Sequence, residues 1–276
     1  FGVFLQRALK QGADYIATGH YVRLKSQRGP VSAHLQGVPQ SVPRGSPNRA
    51  IPRSLYMAED KNKDQSYFLW TLTQEQLKYC LFPIGDYIKP EVRKLAKKFK
   101  LPNHDKKDSQ GVCFVGPLNM KEFLKKYIKP KRGKIILINR GNPSINSGRP
   151  DHYETIGSHD GVYYYTIGQR HGLNIGNGKG PYFVVEKDIK KNIIYVGGEG
   201  DLSDKGTKIT GINWINREPK LATRIDVKVR YRSKSEKAIL SKSGTLRFIK
   251  SVRAITSGQS AVFYKGQELL GGGVID

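Results

Sequence analysis

A chain of 276 residues with 48 Lys and Arg against 23 Asp and Glu carries a formal net charge of +25; such a field favours a polyanion such as nucleic acid, with an anionic membrane surface as the weaker competitor. That length accommodates more than one folding unit. The only cysteines, Cys80 and Cys113, exclude a disulfide scaffold or a four-thiolate zinc site and fit a reducing cytoplasm or organelle matrix; no run of about 18 apolar residues and no leader pattern is seen, so no membrane partner is expected.

Phe1, Phe4, Leu5, Ala8 and Leu9 fall at helix spacing and predict a helix ending near Gly12. Opening on Phe1, the chain reads as starting inside a domain. "DYIATGHY" follows as a short buried strand running into a Gly-His turn, and strand ends of this kind are where α/β sheets hold ligands. From Ser26 to Ala58, five prolines accompany Arg28, Arg44, Arg49 and Arg53 without a single acid, which predicts a basic loop or insertion.

Thr73 with Gln76 three residues on forms a capping signal, and Pro90 can open a further helix that turns Val92, Leu95, Ala96 and Phe99 inward. "NMKEFLKKYI" predicts another short amphipathic helix. Beyond it the pattern becomes strand-like: "GKIILIN", "GVYYYTIG", "YFVVEKD" and "NIIYVGG" indicate antiparallel β structure. The same theme continues in "KITGINWI", "RIDVKVRYRS", "GTLRFIK", "AITSGQSAVFYKG" and "LLGGGVID", for which a small closed β-barrel is expected, because closure removes exposed edges. The "GLNIGNGKG" loop lacks the G-x-x-x-x-G-K-[ST] spacing of a phosphate cradle and reads as a turn.

Cys113 lies in "KDSQGVCFVG". A cysteine flanked by Val112 and Phe114 is more often packed than reactive. Here Asp108, Ser109, Gln110 and Gly111 make a polar approach, and Lys106 and Lys107 favour a thiolate.

The stretches "GADYIATGHYVR", "NKDQSYFL", "FPIGDYIKPEVRKLA", "DSQGVCFVG", "HDGVYYYTIGQRHGLNIG", "VRYRSK" and "GQSAVFYKGQELLGGGVI" resemble the tRNA-specific 2-thiouridylases, in family order and over essentially the whole chain apart from the basic insertion. The resemblance implies an α/β fold, the C-terminal part of a PP-loop ATP-binding domain, followed by a mainly β central domain and a C-terminal β-barrel. It implies divisions at residues 1–118, with the insertion at 26–58, then 119–204 and 205–276. The implied activity is ATP-dependent (Mg-ATP) activation of the C2 oxygen of the wobble uridine by adenylation, then sulfur transfer from a cysteine persulfide.

By the same resemblance Cys113 carries the persulfide and Gly19 contacts ATP. His20, Lys63, Asp64, Gln65, Arg230, Tyr231 and Gln259 contact tRNA at its anticodon loop and stem. Arg suits phosphate and Tyr suits a stacked base. A sulfur-relay or cysteine desulfurase protein is the implied donor, and no metal site within the protein is implied. The family's S-G-G-x-D-S loop is absent from the sequence. Its first catalytic cysteine has no counterpart either, because "LKYCLFP" around Cys80 reads as core packing on a helix face. The chain is therefore expected to be the back two-thirds of such an enzyme and unable to thiolate alone. The alternative is a non-catalytic basic tRNA-binding module.

Overall fold

The computed structural model describes residues 1–26, 29–30, 52–105, 118–139, 152–219 and 224–276. They form two compact units. One comprises Phe1–Lys106, Gly206–Lys250 and Ser257–Asp276, and the other Lys107–Lys205 and Ser251–Thr256.

The first unit opens with α1 (Gly2–Lys10), which buries Leu5 and packs Phe1, Ala8 and Leu9 on the core. Phe4, expected on the same face, is exposed: at helix pitch it lies one step round the cylinder from Leu5, and the protein covers only a narrow stripe. β1 (Ile16–Ala17) runs into the Gly-His turn as expected. It pairs in parallel with β5 (Cys80–Leu81), which places Cys80 on a strand and not on the helix face expected from its sequence. The expectation of core packing does hold, because Cys80 is fully buried.

β2 (Val22–Ser26), β3 (Gly29–Pro30) and β4 (Arg53–Met57) form one antiparallel ribbon. β4 falls inside the stretch read as an insertion; Leu55 at its centre is fully buried against the core, so the insertion ends before it. Residues 31–51 lie outside the described residues. α2 (Gln74–Leu77) carries the anticipated capping box, with Gln76 N donating to Thr73 Oγ1 at 3.4 Å and Thr73 N donating to Gln76 Oε1 at 3.0 Å. α3 (Lys89–Lys98) begins with Pro90 in its first turn. Val92, Leu95 and Ala96 are only half-buried and Phe99 is exposed, because the helix rests on the unit's surface and not within its core.

The second unit holds α4 (Met120–Lys125), capped by the Asn119 side chain, and a four-stranded sheet in the order β7-β6-β9-β8. Its strands are β6 (Gly133–Asn139), β7 (His152–His159), β8 (Phe183–Asp188) and β9 (Ile193–Gly197). β6 and β9 run parallel, correcting the all-antiparallel expectation. "GVYYYTIG" is not a strand. Val162–Tyr164 form a 3-10 turn after Gly161, whose φ of 146° only glycine adopts readily, and the Tyr164 and Tyr165 hydroxyls are held by the Ile128 carbonyl and the Asp160 carboxylate.

The closed barrel is present, and all but the start of its first strand and the end of its fourth belongs to the first unit. β10 (Ser203–Trp214), β11 (Arg224–Lys228), β12 (Glu236–Leu240), β13 (Thr245–Arg253), β14 (Ser260–Lys265) and β15 (Glu268–Ile275) pair in the order 10-13-12-11-14-15, and β15 returns to β10. β15 also pairs with β4 at Glu268↔Tyr56 and Leu269↔Leu55. Barrel and N-terminal ribbon are therefore one continuous sheet over one core that includes Leu5, Leu55, Trp70, Leu77, Ile215, Val262 and Leu269.

Closure depends on Gly271, Gly272 and Gly273. At Gly271, φ is 155° and a Cβ would overlap the Asn213 carbonyl; at Gly272 it would meet the Trp70 indole at 2.9 Å. Gly271→Ala is expected to cost roughly 2–3 kcal/mol or prevent folding, since strain and overlap act together. Thermal unfolding checks this, and a melting temperature equal to that of the parent chain would contradict it.

Candidate nucleic-acid interface

The segment after β4 is built around a buried carboxylate. Asp64 is 7% exposed and accepts from Ala58 N at 3.1 Å, Ser66 N at 3.2 Å and Ser66 Oγ at 3.0 Å. Lys228 Nζ, from the end of β11, lies 3.5 Å from its Oδ2 and 5.2 Å from the centre of the Tyr264 ring. Because Ser66 Oγ donates to Asp64, it accepts from the Tyr264 hydroxyl, 3.1 Å away; burial pushes the Tyr264 phenol up, so it stays a donor. All of Asp64's partners named here are internal. The structure thus gives Asp64 the work of fixing this segment on the barrel.

Its neighbours are positioned by the same node. Gln65 exchanges two bonds with Tyr21, Tyr21 N donating to Gln65 Oε1 at 3.0 Å and Gln65 N donating to Tyr21 O at 2.9 Å. This ties the segment to the Gly19-His20 turn. His20 sits among the Phe1 and Phe82 rings, at 5.6 and 6.4 Å, with Nδ1 3.1 Å from Thr18 Oγ1. Burial lowers its pKa, which favours the neutral imidazole at pH 7. Gly19 is exposed, and among the described residues no atom other than those of its chain neighbours lies within 4 Å of the position a Cβ would take. Lys63 is half-buried in the turn that Asp60 caps through Oδ1.

Ser66–Phe68 form a 3-10 turn that points successive rings in different directions. Tyr67 turns into the core and donates from its hydroxyl to Ser260 O at 2.8 Å, next to Gln259; Trp70 Nε1 donates to Ser260 Oγ at 3.0 Å. Phe68 turns outward, 51% exposed, with its ring 4.6 Å from that of Tyr231.

Tyr231 lies in a turn just past β11, where Ser233 N and Oγ both donate to the Arg230 carbonyl at 3.1 and 2.8 Å. Arg232, at φ 64°, carries its guanidinium 5.3 Å from the Tyr231 ring. "VRYRS" is therefore a turn and not the continuation of a strand. Gln259 precedes β14, and its carbonyl accepts from Ile275 N at 2.8 Å.

The structure thus brings Lys63, Gln65, Arg230, Tyr231 and the Gln259-Ser260 corner into one neighbourhood, with His20 joined through Tyr21. Phe68 and Arg232 belong to that surface, and sequence reading missed both: in "SYFLW" an outward ring cannot be told from a core ring by composition. Cys113 lies outside the described residues. Cys80 is no substitute nucleophile, since burial raises its thiol to about 11 and Sγ donates to Gln76 O at 3.2 Å.

Three family models match consecutive stretches of the chain: the tRNA methyl transferase HUP domain over residues 1–117, the tRNA methyl transferase PRC-barrel domain over 121–198 and the Aminomethyltransferase beta-barrel domain over 204–275. The tRNA-specific 2-thiouridylase MnmA of Bacillus subtilis (strain 168) is 40% identical over 286 residues, covering 100% of this chain and 67% of that protein. The chain belongs to the tRNA-specific 2-thiouridylase family. The MnmA protein of Bacillus licheniformis is 42% identical over 289 residues, with 100% and 68% covered. That of Shewanella sp. (strain MR-4) is 41% identical over 276 residues, with 96% and 65% covered. This thiouridylase-family chain therefore spans about two thirds of the length of these relatives. Among its described residues no helix is long and apolar enough to cross a membrane.

Asp64→Ala is expected to destabilise the first unit by about 3 kcal/mol or more, the cost of breaking a buried ion pair and stranding buried donors. Lys63→Ala, one residue away, is expected to change stability by less than about 0.5 kcal/mol. Urea unfolding of both variants checks the contrast, and equal midpoints would contradict the role assigned to Asp64.

Proposed function

We propose that this chain takes part in 2-thiolation of the wobble uridine of tRNA, binding the anticodon region on the surface around Phe68, Arg230 and Tyr231 and carrying the transferred sulfur on Cys113. The observation that carries the reading is the convergence of "KDQSYF", "VRYRS" and "SGQS". Nearly 200 residues separate the first from the last, yet they meet on one aromatic surface flanked by arginines.

The exposed Phe68 ring and Arg232 guanidinium, beside the half-buried Tyr231 and Arg230, suit splayed anticodon bases and their phosphates. Arg230 and Arg232 neutralise backbone charge, Tyr231 and Phe68 stack on bases, and the half-buried, neutral His20 gives the neighbouring turn a hydrogen-bonding edge without a further charge. Lys63 and Gln259 complete the polar rim.

Gly19 supports a nucleotide contact. It stands open just past β1, at the end of a parallel strand pair, where α/β sheets receive ligands. When bound there, ATP supplies the activation that turns the C2 oxygen of uridine into a leaving group. The sulfur on Cys113 comes, in this reading, from a sulfur-relay or cysteine desulfurase protein that forms a persulfide, and a second thiol frees it by thiol exchange.

The reading is tested with the N-terminal portion of a relative, carrying both its S-G-G-x-D-S loop and its first catalytic cysteine, fused ahead of Phe1 and assayed with tRNA, ATP and a persulfide donor. Cys113→Ser is expected to abolish 2-thiouridine formation while leaving tRNA affinity within about twofold. Retained thiolation would remove Cys113 from the chemistry. Phe68→Ala in the chain itself is expected to weaken tRNA binding about tenfold, within the range of about 1–3 kcal/mol for one stacked base, with little change in melting temperature. Anisotropy titration reads the first and calorimetry the second, and unchanged affinity would exclude Phe68 from the interface.

A further inference from the structure

The first unit has another basic feature that the surface above does not use. A groove of about 920 Å3 lies where β2, β4 and the turn end of the β14–β15 hairpin meet the segment after β10, with Lys25, Tyr56, Arg217, Arg224, Lys265 and Glu268 around it. Its floor is cross-linked by hydrogen bonds: Gln74 Nε2 donates to Arg53 O at 2.7 Å and Ile215 O at 2.9 Å, and Asn216 Nδ2 donates to Ser54 Oγ at 2.8 Å. Lys25 Nζ lies 4.8 Å from the centre of the Tyr56 ring. Arg217, Arg224 and Lys265 are exposed, and none forms an ion pair with a described carboxylate. Glu268 is the one acid among the described residues lining the groove, and it faces the Asn216 amide at 3.5 Å.

Exposed cations spread along a rim, with no buried donors converging on one point, suit a chain of phosphates better than a single small anion, and arginine forks match phosphate oxygens. The hairpin sets the distance to the aromatic surface. Lys265↔Glu268 lies at its turn end and Ser260↔Val274 at its open end, so six residues of β15 separate them, about 20 Å at roughly 3.4 Å per residue. A polyanion is long enough to touch both.

We propose that this groove is a second RNA-backbone site, which takes phosphates of the tRNA body while the surface around Tyr231 holds the anticodon region. The inference rests on the tRNA-binding reading and adds residues, and a division of labour, that the reading does not contain. RNA is favoured over an acidic protein because both features share one compact unit and one sheet, so a single extended polyanion can engage them together.

The test compares full-length tRNA with an isolated anticodon stem-loop, titrated against the parent chain and against R217A/R224A/K265A over a range of salt concentrations. For full-length tRNA the triple variant is expected to lose about tenfold in affinity near physiological salt, and its slope of log K against log[salt] to flatten by about 2 to 3, one unit per lost phosphate contact. Stem-loop affinity is expected to stay within twofold, and R217K/R224K to keep the parent slope. No loss with full-length tRNA, or equal loss with both RNAs, overturns the groove assignment. So does unchanged tRNA binding alongside lost capture of a purified cysteine desulfurase, which would make the groove a protein-docking site. If the parent chain binds neither RNA, it is the tRNA-binding reading that fails.

Discussion

The Asp64 carboxylate, buried and shared among Ala58, Ser66 and Lys228, is the contact on which the candidate interface depends. A charge taken out of water is tolerable only with a counter-ion and enough donors to replace its hydration. Here the counter-ion arrives from the barrel, at the end of β11, and Tyr264 of β14 closes the network through Ser66. The requirement to satisfy one carboxylate therefore fixes the segment from residue 63 to 68 against strands more than 150 residues further along the chain. Phe68 meets Tyr231, and Tyr67 meets the Ser260 carbonyl, as geometric consequences.

β15 supplies the second constraint. It serves β14 on one edge, and on the other it is divided between β10 and β4. Such sharing needs backbones closer together than side chains allow, and the three consecutive glycines provide it. The barrel and the N-terminal ribbon therefore share a core, and the two ends of the β14–β15 hairpin present chemically different surfaces. The open end is aromatic with arginines beside it. The turn end is a cationic groove over an amide floor.

Much of this was legible in advance. The capping box at Thr73, the opening of α3 at Pro90, the strand running into the Gly-His turn and the closed barrel follow from local rules of capping, backbone freedom and edge avoidance. Where reading failed, a nonlocal term had decided the matter. "GVYYYTIG" has strand composition, but Gly161 and two tethered tyrosine hydroxyls bend it into a 3-10 turn. β7 and β12 went unseen because "HYETIGSH" and "EKAIL" lack a clean apolar alternation. Phe99 caps α3 in line with its apolar stripe and stays exposed, since none of the described residues packs over it.

The sequence by itself determined the family, through motifs kept in order along the chain, together with the cationic character and the residue types suited to RNA. Those properties are additive and local, and they survive being read one residue at a time. Only the tertiary structure decided which members of a motif face outward. Asp64 is buried and bonded within the fold, and Gln65 is half-buried and held to Tyr21 through its Oε1, while Phe68 and Arg232, unremarked in the sequence, are exposed beside Tyr231. The reason is physical: whether a side chain holds the protein together or is offered to a ligand depends on whether its hydrogen bonds and its area are consumed by neighbours, and those neighbours are distant in sequence.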